Sequence, residues 1–304
     1  MYLRMLRHSA TVTIRVVAML ALASAVIRCS SGRTEFAPLP QDAGPPAPFT
    51  EPPEAGADAD AGALTPDDDV ECAGETTNVY VVARNPDAIY RFDPPALTFT
   101  RLGYLDCPAA DAFSMAVDRG GAAWVLFNSG KMFRVRLDDL KCREIVLQNR
   151  GAELGVFGMG FAKNESGDGE TLFASANSKL SKIDPSTLVV TEIGPSLGNI
   201  AELTGTGDAQ LFGFTPYNGV IARLDKSSGK SLEIHRTSAV ASGNWAFAQW
   251  GGDFWIFTRD ATRGTSLVTR YSPVTKESTV VVPDAGIRIV GAGVSTCAPF
   301  KPPQ

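Results

Sequence analysis

The stretch Asn244-Trp-Ala-Phe-Ala-Gln-Trp-Gly-Gly-Asp-Phe-Trp-Ile-Phe257 constrains this chain more than any other. Two apolar runs flank a Gly-Gly-Asp turn, and Ser266-Leu-Val-Thr-Arg-Tyr-Ser272 adds a third run with a polar end. Strand-length runs separated by turn residues read as antiparallel hairpins. Copies recur upstream. Gly120-Gly-Ala-Ala-Trp-Val-Leu126 repeats the turn and second run, and Asn199 to Phe212 aligns with Asn244 to Phe257 without a gap. Phe157-Gly-Met-Gly-Phe161 matches Phe113-Ser-Met-Ala-Val117. The third run has its own signature: Tyr90-Arg-Phe-Asp93, Val135-Arg-Leu-Asp138, Ser181-Lys-Ile-Asp184, Ala222-Arg-Leu-Asp225 and Thr269-Arg-Tyr-Ser272. Their last residues lie 45, 46, 41 and 47 positions apart. A turn and a β-branched fourth run, such as Leu188-Val-Val-Thr-Glu-Ile193, follow each one. Four short strands per period of about 40–50 residues is what a β-propeller blade requires.

The repeat begins out of phase. Asn78-Val-Tyr-Val-Val-Ala83 matches a second strand with no first strand before it, and Ile287 to Val294 matches a first strand with no second after it. The prediction is therefore an all-β propeller of five four-stranded blades over 77–298, with 299–304 as a tail. The C-terminal strand completes the N-terminal blade, which hides two sheet edges. Cys72 precedes the second strand of that composite blade and Cys297 follows its first, so both fall near the junction of the termini and a bridge between them is expected. Cys107 and Cys142 remain as the second pair by elimination. Up-and-down connectivity sets those two on opposite faces, although the connection from Gly103 to Ala112 is long enough to bend back; bridged and unbridged forms both stay open.

Two segments precede the repeats. Residues 1–29 hold Arg4, Arg7, Arg15 and Arg28, no acid, and the apolar run Val16 to Ile27. A positive start followed by a short apolar run reads as a secretory leader, and the run is short for a bilayer span of about 20 residues. Cys29 follows directly, in a setting similar to a bacterial lipobox, with Arg28 where a small residue is usual. Lipidation at Cys29 is one reading; cleavage after Ala23-Ser24-Ala25, leaving a soluble chain, is the other. Residues 30–76 form a Pro/Ala/Asp/Gly-rich linker with eleven acids and one base, a composition that does not bury enough apolar surface to fold. The net charge of −5 thus belongs to the linker, and residues 77–304 carry +1. A near-neutral domain argues against nucleic acid, which needs a clustered basic surface.

The signatures Tyr90-Arg-Phe-Asp-Pro94 and Ser181-Lys-Ile-Asp-Pro-Ser-Thr187 resemble those of propeller repeat proteins of the gluconolactonase, NHL and YVTN type. With the leader and the acidic tether, the chain is similar to secreted bacterial propeller lipoproteins without an assigned activity. The resemblance covers about 77–297 and speaks to architecture. It implies a calcium or zinc site of carboxylate and Asn oxygens in the central channel. The repeat aligns Phe113, Phe157, Asn199 and Asn244 at the starts of the innermost strands, so Asn199, Asn244 and the nearby Glu202 are the candidate channel-mouth ligands. Two of the aligned positions are Phe, and the full acidic ligand set does not carry over.

Other chemistries lack their residues. His8 and His235 are the two histidines, so no Ser-His-Asp or Cys-His set can be assembled. No glycine-rich turn opens a helix for a nucleotide. The tryptophans 124, 250 and 255 read as inter-blade packing, and Asn164 to Glu170 as an enlarged hairpin. The expectation is an exported envelope protein, periplasmic or at the cell surface and held at the outer membrane by an N-terminal lipid. It would be a non-catalytic module binding a protein, glycan or small ligand through loops around Tyr104, Asp111, Glu153, Tyr217, Asn218 and Arg263. The alternative is a metal-assisted lactonase or related hydrolase with a degenerate central site.

Overall fold

The computed structural model describes residues 72–73, 76–151, 154–241 and 243–301. The leader, Cys29, nearly all of the 30–76 linker and Glu153 lie outside the described residues.

Twenty strands form five four-stranded antiparallel sheets. Blade 1 contains β1 (Val79–Ala83), β2 (Ala88–Asp93) and β3 (Thr98–Tyr104). Blade 2 runs β4 (Ala112–Val117), β5 (Ala122–Phe127), β6 (Met132–Arg136) and β7 (Cys142–Ile145). Blade 3 comprises β8 (Gly158–Lys163), β9 (Glu170–Ala176), β10 (Lys179–Ile183) and β11 (Val190–Pro195). Blade 4 holds β12 (Glu202–Gly205), β13 (Leu211–Thr215), β14 (Val220–Leu224) and β15 (Ser231–Arg236). Blade 5 is β16 (Trp245–Trp250), β17 (Asp253–Arg259), β18 (Ser266–Ser272) and β19 (Glu277–Val282). The last strand, β20 (Ile289–Val294), pairs with β1 and supplies the inner strand of blade 1, as the out-of-phase repeat requires. Inner strands β20, β4, β8, β12 and β16 pack on one another in a closed ring.

The core is five inter-blade layers. Tyr80 and Val82 of blade 1 meet Met115 and Val117 of blade 2, and Trp124 of blade 2 meets Phe157 and Phe161 of blade 3. Phe173 packs toward Leu203 of blade 4, Phe214 toward Phe247 of blade 5, and Trp255 toward Phe92 back in blade 1. Trp124–Phe161 and Phe92–Trp255 are edge-on contacts at 5.5 and 5.4 Å, so both tryptophans serve as the inter-blade packing read from the sequence. One register recurs in all five sheets: an aromatic on the second strand sits opposite a base on the third. The pairs are Tyr80–Arg91, Trp124–Arg134, Phe173–Lys182, Phe212–Arg223 and Trp255–Arg270.

That register corrects the alignment of blade 2. A backbone turn closes the third strand where Leu188 N–H donates to Asp184 O, Gly229 to Asp225 and Lys276 to Ser272. In blade 2 the equivalent bond runs from Leu140 to Arg136, two residues before Asp138. The closing residue takes positive φ in every case, 59° at Leu188, 72° at Gly229, 62° at Lys276 and 55° at Leu140. Asp184 and Asp225 also bond the turn's N–H groups, whereas Asp138 pairs with Arg136 instead. An acid near the right place drew the sequence alignment two positions off.

Both disulfides form. Cys72–Cys297 joins the segments flanking the closure at a Cα separation of 5.8 Å, and Cys107–Cys142 spans blades 1 and 2 at 5.4 Å. The face argument against the second pair fails because sheet twist accumulates toward the outer strands, where the ends of neighbouring blades converge. Gly103, on the outer strand of blade 1, lies against the Leu140 side chain of blade 2, and Leu105, Ala109 and Cys142 share one apolar cluster.

Deleting residues 288–304 removes β20, leaves β1 as an unpaired edge and opens the two inter-blade layers to which Val290 and Ile289, Ala292 and Val294 belong. The expected result is loss of the cooperative thermal transition in circular dichroism; a truncated chain that melts like the intact one would refute the closure. Breaking the Cys72–Cys297 link alone should leave a folded ring less stable by about 5 kcal/mol in the chain-entropy model.

Candidate ligand-binding face

Inner strands run from one face of the ring to the other, so each face is defined by strand ends. At the far ends of the inner strands the termini form a cap. Thr296 Oγ1 donates to Glu170 of blade 3 at 2.9 Å, Gly251 N–H of blade 5 to Pro299 O at 2.6 Å, and Gln249 Nε2 to Phe300 O at 3.2 Å. Ala73, next to the bridged Cys72, donates to Arg119 O of blade 2. This closure face is covered by the chain itself.

Along the axis, neighbouring inner strands come into backbone contact. Where β8 meets β12, a Cβ at Gly160 would stand 2.6 Å from Leu203 O, and one at Gly158 would overlap Ala201 O. Where β20 meets β4, a Cβ at Gly291 would stand 2.7 Å from Met115 N. The backbones touch, which is why glycine occupies these inner positions. Glu202 fills what space remains. It is 2% exposed, accepts from Ser114 Oγ across the axis at 2.9 Å and from the Met159 N–H, and burial pushes its carboxyl well above the usual range.

The candidate ligands Asn199, Asn244 and Glu202 therefore hold separate environments. Asn199 is exposed in the turn before β12, and its backbone carbonyl accepts from Ser178. Asn244 Oδ1 is taken by the Arg288 guanidinium, with Nε at 2.8 Å. Glu202 is spent on Ser114 and Met159 inside the ring. Among the described residues, no group of three or more His, Cys, Asp or Glu side chains is arranged to hold a metal. His235 lies on the outer strand β15, beside Tyr271 at 3.3 Å and Glu233 at 3.2 Å. The segment Asn164–Gly169 is a hairpin closed by Asn164 N–H to Gly169 O.

The face where the inner strands begin is different, and we call it the rim face. Tyr104, Asp111, Tyr217, Asn218 and Arg263, picked from the sequence as face-loop residues, all lie at strand ends or turns on this one face. Sequence reasoning missed its centre. Arg84, at the end of β1, donates to Asp111 of blade 2 at 2.8 Å. Asn128, its amide oxygen turned to the same guanidinium, accepts at 2.8 and 2.9 Å. Arg288, before β20, is joined to Arg84 through the Arg84 N–H to Arg288 O bond and reaches across to Asn244 in blade 5. Arg259, at the end of β17, donates its backbone N–H to the Asn244 carbonyl, which makes the two cross-strand neighbours. Burial first, then Arg259 and Arg84, holds the Arg288 guanidinium below its usual range. An arc of three arginines thus lies on blades 5 and 1 and is joined to blade 2 through Asp111 and Asn128. The arc had a sequence signal: four residues after each second-strand aromatic come Arg84, Asn128, Asn177, Pro216 and Arg259.

Next to the arc, an open cleft of ≈ 540 Å³ lies between blades 2 and 3, lined by Asn128, Gly130, Arg150, Leu154 and Val156. Arg150 braces its wall by donating to the carbonyls of Leu154 and Gly130 at 2.7 and 2.6 Å and to that of Gly155. A positive rim of this kind opposes a divalent cation and favours an anion.

No protein-family model matches this chain, and no curated protein matches it. It is a five-bladed β-propeller, on its own strand order. Similar solved structures include a nidogen/laminin complex, 12% identical over 72% of this chain and 81% of that one, with a TM-score of 0.49. A streptogramin B lyase is 17% identical over 69% and 68% at a TM-score of 0.40. TolB from Acinetobacter baumannii is 16% identical over 68% and 53% at 0.42. Likenesses at this level carry no argument about activity.

The buried acids give this propeller a pH signature. Glu170, at the closure face, accepts from Arg119 N–H and Thr296 Oγ1, and desolvation, with the nearby Asp118, pushes it up to about 8. A carboxyl raised in the fold binds its proton more tightly there than in the unfolded chain. Its contribution is complete below its ordinary value of 4.5 and is lost as pH climbs through about 8. The melting temperature should fall across that window, and Glu170→Gln, which cannot ionise, should flatten the fall. An unchanged slope in the variant would show that Glu170 does not carry it.

Proposed function

We propose that this chain is an exported, lipid-anchored envelope protein whose propeller is a non-catalytic binding module working through its rim face. The observation that carries the reading is the inequality of the two faces. One is occupied by the chain's own termini and the Cys72–Cys297 bridge; the other leaves the arginine arc, the turn at Tyr217 and Asn218, and a cleft accessible. The linker joins the domain at Cys72 on the closure face, so a lipid at Cys29 would leave the rim face free to meet a partner. Two disulfides fit a domain that matures in an oxidising compartment. The basic leader and apolar run of residues 4–27 support export. A binding role accords with an axis closed by backbone contacts and with Glu202 held by Ser114 rather than offered to a substrate.

Two measurements test this. Replacing Cys29 with Ser should move the chain from the membrane fraction to the soluble fraction; equal partitioning of both forms would reject the anchor. Tyr217→Ala with Asn218→Ala and Arg263→Ala should lower retention of solubilised envelope components on immobilised protein by about tenfold or more. The melting temperature should stay within a few degrees, since these side chains are exposed. Retention undiminished in that variant would show that the rim face is not the binding surface.

A further inference from the structure

We propose that the arginine arc of the rim face is an oxyanion site, taking the carboxylate or phosphate group of a small ligand whose remaining atoms lie in the cleft between blades 2 and 3. This deepens the binding-module reading above and rests on it. The first argument is charge. Arg84, Arg259 and Arg288 converge, and Asp111 is the carboxylate paired with them, at 2.8 Å from Arg84. Arg288 is held by the neutral amide oxygen of Asn244, and the Arg259 guanidinium has no hydrogen-bond or ion-pair partner among the described residues. Asp87, Asp260 and Asp284 are engaged elsewhere. Asp87 accepts from Ala112 N–H at 3.2 Å. Asp260 takes the N–H groups of Thr262 and Arg263, and Asp284 takes Thr265 Oγ1 and Gly286 N–H. Among the described residues one carboxylate, Asp111, thus serves three guanidinium groups, bonded to Arg84 and attracting Arg288 from further off, on a domain whose residues 77–304 sum to only +1.

The second argument is geometry. Arg259 runs past two glycines: a Cβ at Gly243 would sit 3.6 Å from its Cδ, and one at Gly264 3.8 Å from its Nη2. No side chain from either position covers the guanidinium, which leaves its planar donor fork free for an oxyanion. Arg288 is fixed on one edge by Asn244, and Arg84 is fixed by Asp111 and Asn128, so the site is already ordered before a ligand arrives. Burial and the neighbouring arginines already work against the Arg288 charge, and an incoming anion would relieve that repulsion. Room for the rest of the ligand is contiguous, because Asn128 both accepts from Arg84 and lines the ≈ 540 Å³ cleft. That volume suits a small molecule and not a folded partner.

The test is calorimetric titration of the mature protein with inorganic phosphate and with succinate, at fixed ionic strength in the millimolar range. The native chain should bind at least one of them saturably, and the tighter of the two identifies the group. Arg259→Gln should weaken binding by about ten- to a hundredfold, the loss expected for hydrogen bonds to a charged group. Lys182→Gln, an exposed base on blade 3 away from the arc, should leave it unchanged. Absence of saturable binding by the native chain, or equal loss in both variants, would overturn the site. If neither probe binds while the rim face still retains envelope components, the oxyanion assignment falls and the binding-module reading stands.

Discussion

Five sheets can share an axis this narrow only where their inner backbones touch, and the rest of the molecule follows from that contact. Gly158 and Gly160 lie against the backbone of β12, and Gly291 and Gly293 against that of β4. Side chains are excluded from those points, so the apolar mass moves outward into the layers between blades. The axis then has little room for chemistry. Glu202 on β12 is compatible with burial because Ser114 and the Met159 N–H satisfy it and because it can hold a proton. A ring with a sealed axis can present ligands with its faces alone.

The same closure makes the faces unequal. A strand borrowed from the C-terminus must be held against β1, and the devices that hold it gather where that strand ends: the Cys72–Cys297 bridge, the Thr296–Glu170 bond and the Pro299 and Phe300 carbonyls bonded to blade 5. Those devices occupy the closure face. At the opposite end of β20 the strand is held by the backbone bonds at Ile287 and Arg288 and by Ser266 Oγ, and the Arg288 side chain reaches toward Asn244. The devices that hold the closure are in this way kept to one end of that strand and the arginine arc to the other.

Much of this was legible in the sequence because inter-blade packing and turn chemistry repeat. The aromatic of each second strand, the base opposite it and the turn that follows are dictated five times over by the same geometry, so blade number, closure and the Cys72–Cys297 pair could be read. Errors arose where geometry is not local. Asp138 passed for a turn initiator because sequence shows an acid but not which carbonyl accepts the closing N–H; the bond runs to Arg136. Cys107–Cys142 was left open because strand direction was reasoned on flat sheets, while twist brings the outer ends together. Asn199 and Asn244 looked like one set because they align, with Glu202 close by in sequence, yet the three face different neighbours: one meets solvent, one an arginine and one a serine.

The rim arginines were missed for the opposite reason. Arg84 and Arg259 stand four residues after their second-strand aromatics, where the residue type does not repeat: the five blades carry Arg, Asn, Asn, Pro and Arg, of which Pro216 is buried. A position whose residue type varies from repeat to repeat is where a propeller can acquire a function without endangering its fold. Two of the five are arginines and a third, Asn128, braces one of them, and all three sit in the consecutive blades 5, 1 and 2. Contiguity matters because a guanidinium costs desolvation wherever it is half-buried, as Arg84 and Arg288 are. Surface packing gains nothing from concentrating that cost at one mouth; an anion bound there would offset it.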